Sequence, residues 1–274
     1  MHPNPLLLVI IETPNSERSR PLIGLLAGDD RFLTHILPAT MIRDASDVES
    51  LGIKIDSTKF AFFQNRELSF PEIGCAFSHN VARGIIANSA AGGVILEDDA
   101  RIINLDNFYR NSLDFLINHI GESTVLSLTF SSWLSRALPT NKNLTIRLFG
   151  MPPLAAANVL TRGAANNLLE SNKRIHTVAD WPYTSNIYYC SAEPSVWHGD
   201  ADSGSVIDPL SNLNRNGSLK LIKLRRVLLL DLSRARKLGI TIREYCNHEF
   251  YSRFASRLDA IGFRSVFKHC VDQE

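Results

Sequence analysis

The chain has 274 residues, enough for one large α/β domain or two small ones. Its 45% apolar content supports a sizeable core, and its 21% charged content is ordinary for a soluble globular protein. A formal net charge of +1 leaves no global charge argument for nucleic acid, and the four cysteines (Cys75, Cys190, Cys246, Cys270) show neither close pairing nor zinc spacing, which argues against a disulfide framework.

Reduced thiols in a cytosolic compartment are the expectation, with Cys75 and Cys190 in apolar surroundings that suit buried sulfur. The first apolar run, Leu6 to Ile11, is too short to span a bilayer, follows no basic segment and stops at Glu12. It reads as a first buried strand. The chain is therefore expected to be intracellular, with at most peripheral membrane contact. Pro14-Asn15 marks a turn, and Asn15 or Ser16 can cap a helix toward Leu26 that would carry Arg18 on its surface. Phe32 to Pro38 reads as a second strand, and residues 39–63 give mixed signals.

Ser69-Phe70-Pro71-Glu72 has the capping-box pattern, with Ser69 as N-cap, Pro71 in the first turn and Glu72 at the third helical position. Ile73, Phe77, Val81 and Ile85 then recur at helical spacing, which predicts a helix over about 70–89 with that stripe inward and Glu72, His79 and Arg83 on a polar face. Ala91-Gly92-Gly93 turns the chain into Val94-Ile95-Leu96, a strand with nothing polar alternating and hence buried on both faces. It ends in Glu97-Asp98-Asp99. Three adjacent acids raise one another's pKa, so they suit a hard divalent cation holding a phosphate-bearing ligand at a strand's carboxyl end; a solvated acidic turn is the alternative.

Asp106 is a candidate N-cap for a helix with Tyr109, Leu113, Leu116, Ile117 and Ile120 inward, stopped by Gly121. Val125 to Phe130 and Leu144 to Phe149 read as strands around a polar loop, and Ala155 to Leu160 as another buried run. Arg162 to Ser171 is helical, with Asn172 as its stop. Asp180-Trp181-Pro182 follows, for which a turn cap at Asp180 and a core indole at Trp181 are the local reading. Tyr188 to Cys190 and Ser195 to Trp197 read as short strands, and His198 follows. Between Arg215 and Arg243 lie nine Lys or Arg and a single acid, Asp231. A helix there would line up Leu221, Leu224, Leu228 and Leu232, and its basic side can meet an anionic membrane or simply face water.

Glu72-Ile73-Gly74-Cys75 with Ser78-His79, then Val94-Ile95-Leu96-Glu97-Asp98-Asp99, resembles the signature of glycosyltransferase family 25, which includes sugar transferases of bacterial lipooligosaccharide and lipopolysaccharide. Ser16-Glu17-Arg18, Ala165-Asn166-Asn167-Leu168-Leu169 and Asp180-Trp181-Pro182 are similar to further family segments, whereas Glu12-Thr13-Pro14 departs from the family's start. The resemblance spans roughly Leu6 to Ile207. It implies a GT-A-like nucleotide-diphosphosugar transferase fold: α/β, a mixed, mostly parallel sheet with helices on both faces. That catalytic domain would occupy residues 1–210, with residues 211–274 a basic, mainly helical extension.

The implied reaction is inverting transfer of a hexose, most often galactose, from a UDP-sugar to a hydroxyl of a glycan or glycolipid acceptor of lipopolysaccharide type. Mn²⁺ or Mg²⁺ would be held by Asp99 and Glu97, with His198 as a late ligand. Asp180 is the first choice of base and Asp98 the second. Ser78, His79, Glu97 and Arg18 would line the donor site, and Trp181 and Glu72 the substrate. Two rivals remain open from the sequence: a non-catalytic sugar-nucleotide or glycan-binding relative, and a metal-dependent phosphohydrolase using the same acids.

Overall fold

The computed structural model describes residues 5–58, 60, 67–129, 145–148, 156–179, 186–191 and 195–198, with the backbone alone for 145–148 and 198. In chain order the elements are β1 (Leu6–Glu12), α1 (Arg20–Leu26), β2 (Phe32–Pro38), α2 (Ala45–Ser50), α3 (Phe70–Ala87), β3 (Gly92–Glu97), β4 (Ala100–Ile102), α4 (Leu105–Asn118), β5 (Thr124–Ser127), β6 (Thr145–Leu148), β7 (Ala157–Thr161), α5 (Arg162–Ser171), β8 (Ile187–Ser191) and β9 (Val196–His198). The expected 131–143 loop, Asp180-Trp181, the His198 side chain and the basic 211–274 extension lie outside the described residues.

Seven strands form one sheet in the order β2-β1-β3-β7-β5-β8-β6, and β4 pairs with β9 in a separate ribbon. Five of the seven run in one direction. β7 and β6 are reversed, being antiparallel to β3 and β5 and to β8 respectively. The sheet is thus mixed and mostly parallel, as expected.

Strand alternation explains why helices cover both faces. Along β1, Leu6, Leu8 and Ile10 point into one core with Leu22 and Leu26 of α1 and Phe108, Phe115 and Leu116 of α4. Leu7, Val9 and Ile11 point into the other with Ala82 and Ile86 of α3 and Ala164, Ala165 and Leu168 of α5. A strand of continuous apolar residues is what such a three-layer arrangement requires. Gly92 opens β3 at φ +130°, and a Cβ there would sit 2.1 Å from the Leu160 carbonyl oxygen, so glycine is needed where β3 crosses β7.

The helices follow their sequence signals, with two corrections. In α3 the inward face is not the Ile73-Phe77-Val81-Ile85 stripe: Val81 is exposed, and Glu72, Ile73, Ala76, His79, Ala82, Arg83 and Ile86 are buried. The polar residues expected to face solvent are inside because partners meet them: Ser69 at the cap meets Glu72, and Glu97 and Ala179, farther along the chain, meet His79 and Arg83. In α4 the N-cap is Asn104, whose side chain accepts the Asn107 N–H at 2.9 Å, two residues before Asp106. Phe108, Ser112, Phe115 and Leu116 face the sheet, leaving Ile117 and Ile120 exposed. α5 runs over its expected residues and stops at Asn172.

From β1 the chain crosses to β2 on one side and returns as β3 on the other. The carboxyl ends of β1 and β3 therefore flank a point where the strand order reverses, the usual place for a ligand crevice in an open α/β sheet. Glu97-Asp98-Asp99 lies there, at the end of β3.

Candidate active site

The three acids are divided by the sheet they extend. Ile11 pairs with Glu97 in parallel register, and Ile11 belongs to the core beneath α3 and α5, so Glu97 faces α3. There its Oε1 lies 2.9 Å from His79 Nε2. The chain then turns, and Asp98 and Asp99 meet the loop that precedes α1. Arg18 lies on that loop rather than on a helix surface: its Nη2 donates to Asp99 Oδ2 at 2.7 Å, and its Nε is 3.8 Å from Asp98 Oδ1. The Thr13 backbone N–H donates to Asp98 Oδ2 at 3.2 Å. Arg101 holds the loop by donating to the Arg18 carbonyl at 3.2 Å, and the Ser19 hydroxyl donates to Glu12. Both aspartates are buried. Burying two like charges needs a positive partner, and a guanidinium 81 residues away in sequence supplies it.

Glu97 was expected to share a cation with Asp99. As the side chains stand, it belongs with His79, and Asp98 and Asp99 belong with Arg18. Among the described residues, the set of three His, Cys, Asp or Glu side chains whose ligand atoms all lie within 4.8 Å of one another is Cys75, His79 and Glu97. Cys75 is half-buried beside these polar groups, not sealed in apolar surroundings. Sequence reasoning looked for zinc spacing among cysteines alone. The available signal was Cys75 four residues before His79, which puts both on one helix face.

Two other predicted site residues hold the fold around the site. Glu72 closes the capping box: its Oε2 accepts the Ser69 N–H at 2.9 Å and the Ser69 hydroxyl at 3.0 Å. The Ser78 hydroxyl donates to the Gly74 carbonyl at 2.8 Å and accepts the Thr40 N–H at 2.8 Å, tying α3 to the segment after β2. Arg83 reaches the other sequence patch. Its Nη2 donates to the Ala179 carbonyl at 3.2 Å, one residue before Asp180. Asn80 and Asn172 bond at 3.2 Å beside it. α3 thus carries His79 to the end of β3 and Arg83 to the start of the Asp180-Trp181 segment. Ala156 and Ala157 serve close backbone packing, with the Ala156 carbonyl accepting the Glu97 N–H at 2.9 Å.

The model for glycosyltransferase family 25 (LPS biosynthesis protein) matches residues 32–181. The chain belongs to this family. The matched stretch is just over half of the chain. It contains α3, the acids and Asp180-Trp181, while β1 and Arg18 precede it. No curated protein matches the chain. Family 25 membership implies a transferase acting in glycosyl transfer of LPS biosynthesis. No helix among the described residues is long and apolar enough to cross a membrane.

The donor chemistry at the family 25 acids fits a hard ion. Asp98 and Asp99 offer carboxylate oxygens in a buried position that already holds one cation. The Cys190 thiol behaves differently from Cys75, because burial pushes it up to about 12 and leaves it protonated and inert. Alkylation of the folded chain at mildly alkaline pH, mapped by peptide mass, is expected to modify Cys75 and spare Cys190 until the chain unfolds. Modification of both at similar rates would contradict the burial of Cys190.

Proposed function

We propose that this family 25 protein is an inverting, GT-A-type transferase that moves a hexose, with galactose the first candidate, from a UDP-sugar to a hydroxyl of a lipopolysaccharide-type glycan. The observation that carries the reading is the buried Asp98–Asp99 pair with Arg18 at the carboxyl ends of β1 and β3, inside the chain's family-25 context. Displacement at the anomeric carbon forms a bond from the acceptor oxygen and breaks the bond to the diphosphate. The acceptor proton passes to a base.

Asp180 is the base we assign, and Arg83 anchors the carbonyl beside it. Asp98 is the less suited second choice, since both its oxygens already face Thr13 and Arg18. Asp99, with Asp98, would hold Mn²⁺ or Mg²⁺, and His198 is the further ligand we assign. When bound, that ion supplies positive charge for the leaving diphosphate. Arg18 sits where it can share this task. Trp181 would stack on the acceptor sugar, and His79 and Ser78 support the donor side through Glu97 and Thr40.

The Arg18–Asp99 bond favours one second reading, in which Arg18 alone neutralises the diphosphate and no ion is needed. The test is release of UDP from a panel of UDP-sugars, with Mn²⁺ and with chelator, with and without glycan acceptors. Donor-specific release that chelator stops supports the metal-assisted transferase. Release that survives chelator but is lost in Arg18→Ala assigns the charge to Arg18. No release from any donor, with acceptors present, would overturn the transferase reading.

A further inference from the structure

Glu97 leaves the acid cluster for a different set of partners, and their chemistry differs from that of carboxylates alone. Cys75 and His79 stand one helical turn apart on α3, and Glu97 closes the group from the end of β3. Sulfur, nitrogen and oxygen ligand atoms all lie within 4.8 Å of one another, and His79 Nε2 and Glu97 Oε1 are already 2.9 Å apart. Four-coordinate zinc, at its usual bond lengths to sulfur, nitrogen and oxygen, spaces its ligand atoms by about 3.3–3.6 Å, so small side-chain rotations suffice.

The three ligands come from two rigid elements. α3 is pinned to residues 40–42 by the close approach of Gly74 and by Ser78, and β3 lies inside the sheet. Cys75 and Glu97 are partly accessible, and His79 is buried.

We propose that Cys75, His79 and Glu97 form a binding site for a thiophilic divalent cation, of which Zn²⁺ is the expected one, separate from the hard-ion site at Asp98 and Asp99. A thiolate and an imidazole favour zinc or cobalt over magnesium or manganese. On binding, the Cys75 thiol releases its proton to solvent, an imidazole nitrogen of His79 presents its lone pair, and the His79–Glu97 hydrogen bond gives way to bonds to the ion. Three protein ligands leave a fourth position for water. The inference does not depend on the transferase reading, because its readout is binding.

The experiment is titration of the full chain with Co²⁺ in excess Mg²⁺, which keeps the hard site filled. A near-ultraviolet sulfur-to-cobalt charge-transfer band should rise and saturate at one ion per chain. It should disappear in Cys75→Ser, persist in Cys190→Ser and be displaced by Zn²⁺. Glu97→Gln should weaken Zn²⁺ binding by at least about 100-fold, since even outer-shell changes cost 10- to 100-fold. Zn²⁺ should also slow alkylation of Cys75 in the unaltered chain, a measurement that needs no variant to fold. Absence of the band, its survival in Cys75→Ser, or unchanged Cys75 alkylation with Zn²⁺ would overturn the site.

Discussion

Asp99→Asn is expected to lower the turnover of the proposed sugar transfer by about 10²–10³-fold, the usual loss when one group placed against developing charge is removed. The substitution keeps the size of the side chain but removes the carboxylate that receives Arg18 at 2.7 Å and that we assign to the metal. It also has a stability cost. Removing one partner of a fully buried ion pair costs about 3–5 kcal/mol, but Arg18 keeps a quarter of its side-chain exposure and has Asp98 within 3.8 Å, so about 1–2 kcal/mol is expected here. Turnover should therefore fall far more than denaturant stability. The Arg18→Ala/Asp99→Asn double variant should be less unstable than the two single losses added together, because each removes the charge the other leaves unpaired. Turnover within twofold of the unaltered chain would remove Asp99 from the site.

The second large effect concerns two glycines of the same helix. At Gly74 an added Cβ would lie 2.3 Å from the Thr40 carbonyl oxygen and 3.3 Å from Ile42. The neighbour is backbone and cannot swing away, so α3 would have to lift off residues 40–42. Gly74→Ala is expected to destabilise by about 2–3 kcal/mol or more, at the upper end for overpacking, despite the better helix propensity of alanine. It should also loosen the Ser78–Thr40 bond and shift His79 relative to Glu97. Ten residues on, at Gly84, nothing among the described residues lies within 4 Å of the same Cβ position. Gly84→Ala should stabilise by about 0.5–1 kcal/mol through propensity and unfolded-state entropy alone. Opposite signs for the same chemical change, read as denaturant midpoints, would show that α3 is held by backbone contact at one end. A neutral Gly74→Ala would mean that the close approach is not rigid.

The Ser69–Glu72 cap, the helix over 70–87 and the strand before the acids were all legible, because each is set by residues a few positions apart. The inward face of α3 departs from the hydrophobic stripe for a physical reason. A hydrophobic stripe is a sound guide only when polar side chains can be solvated, and here Glu72, His79 and Arg83 are buried with Ser69, Glu97 and Ala179 as partners. In α4 the buried face is Phe108, Ser112, Phe115 and Leu116, about one position back from the expected stripe, because the sheet takes the two phenylalanines and leaves Ile117 and Ile120 outside. Arg18 reads as a surface helix residue from its neighbours, because the acids it pairs with lie 80 and 81 residues away.

Outside residues 39–63, where α2 lies, the order of strands and helices, the burial of β1, the two-sided burial of β3 and the acids at its carboxyl end are legible in the sequence, as are the family-25 motifs. Local periodicity, apolar runs and capping carry the elements, whereas the motifs rest on resemblance to the family. How the acids are divided follows from the packing of the sheet and its helices. Alternation along β3 sends Glu97 to the α3 face, toward Cys75 and His79, and the following turn delivers Asp98 and Asp99 to Arg18. That division depends on which helix covers which face of the sheet, a long-range packing choice that no spacing within the motif encodes.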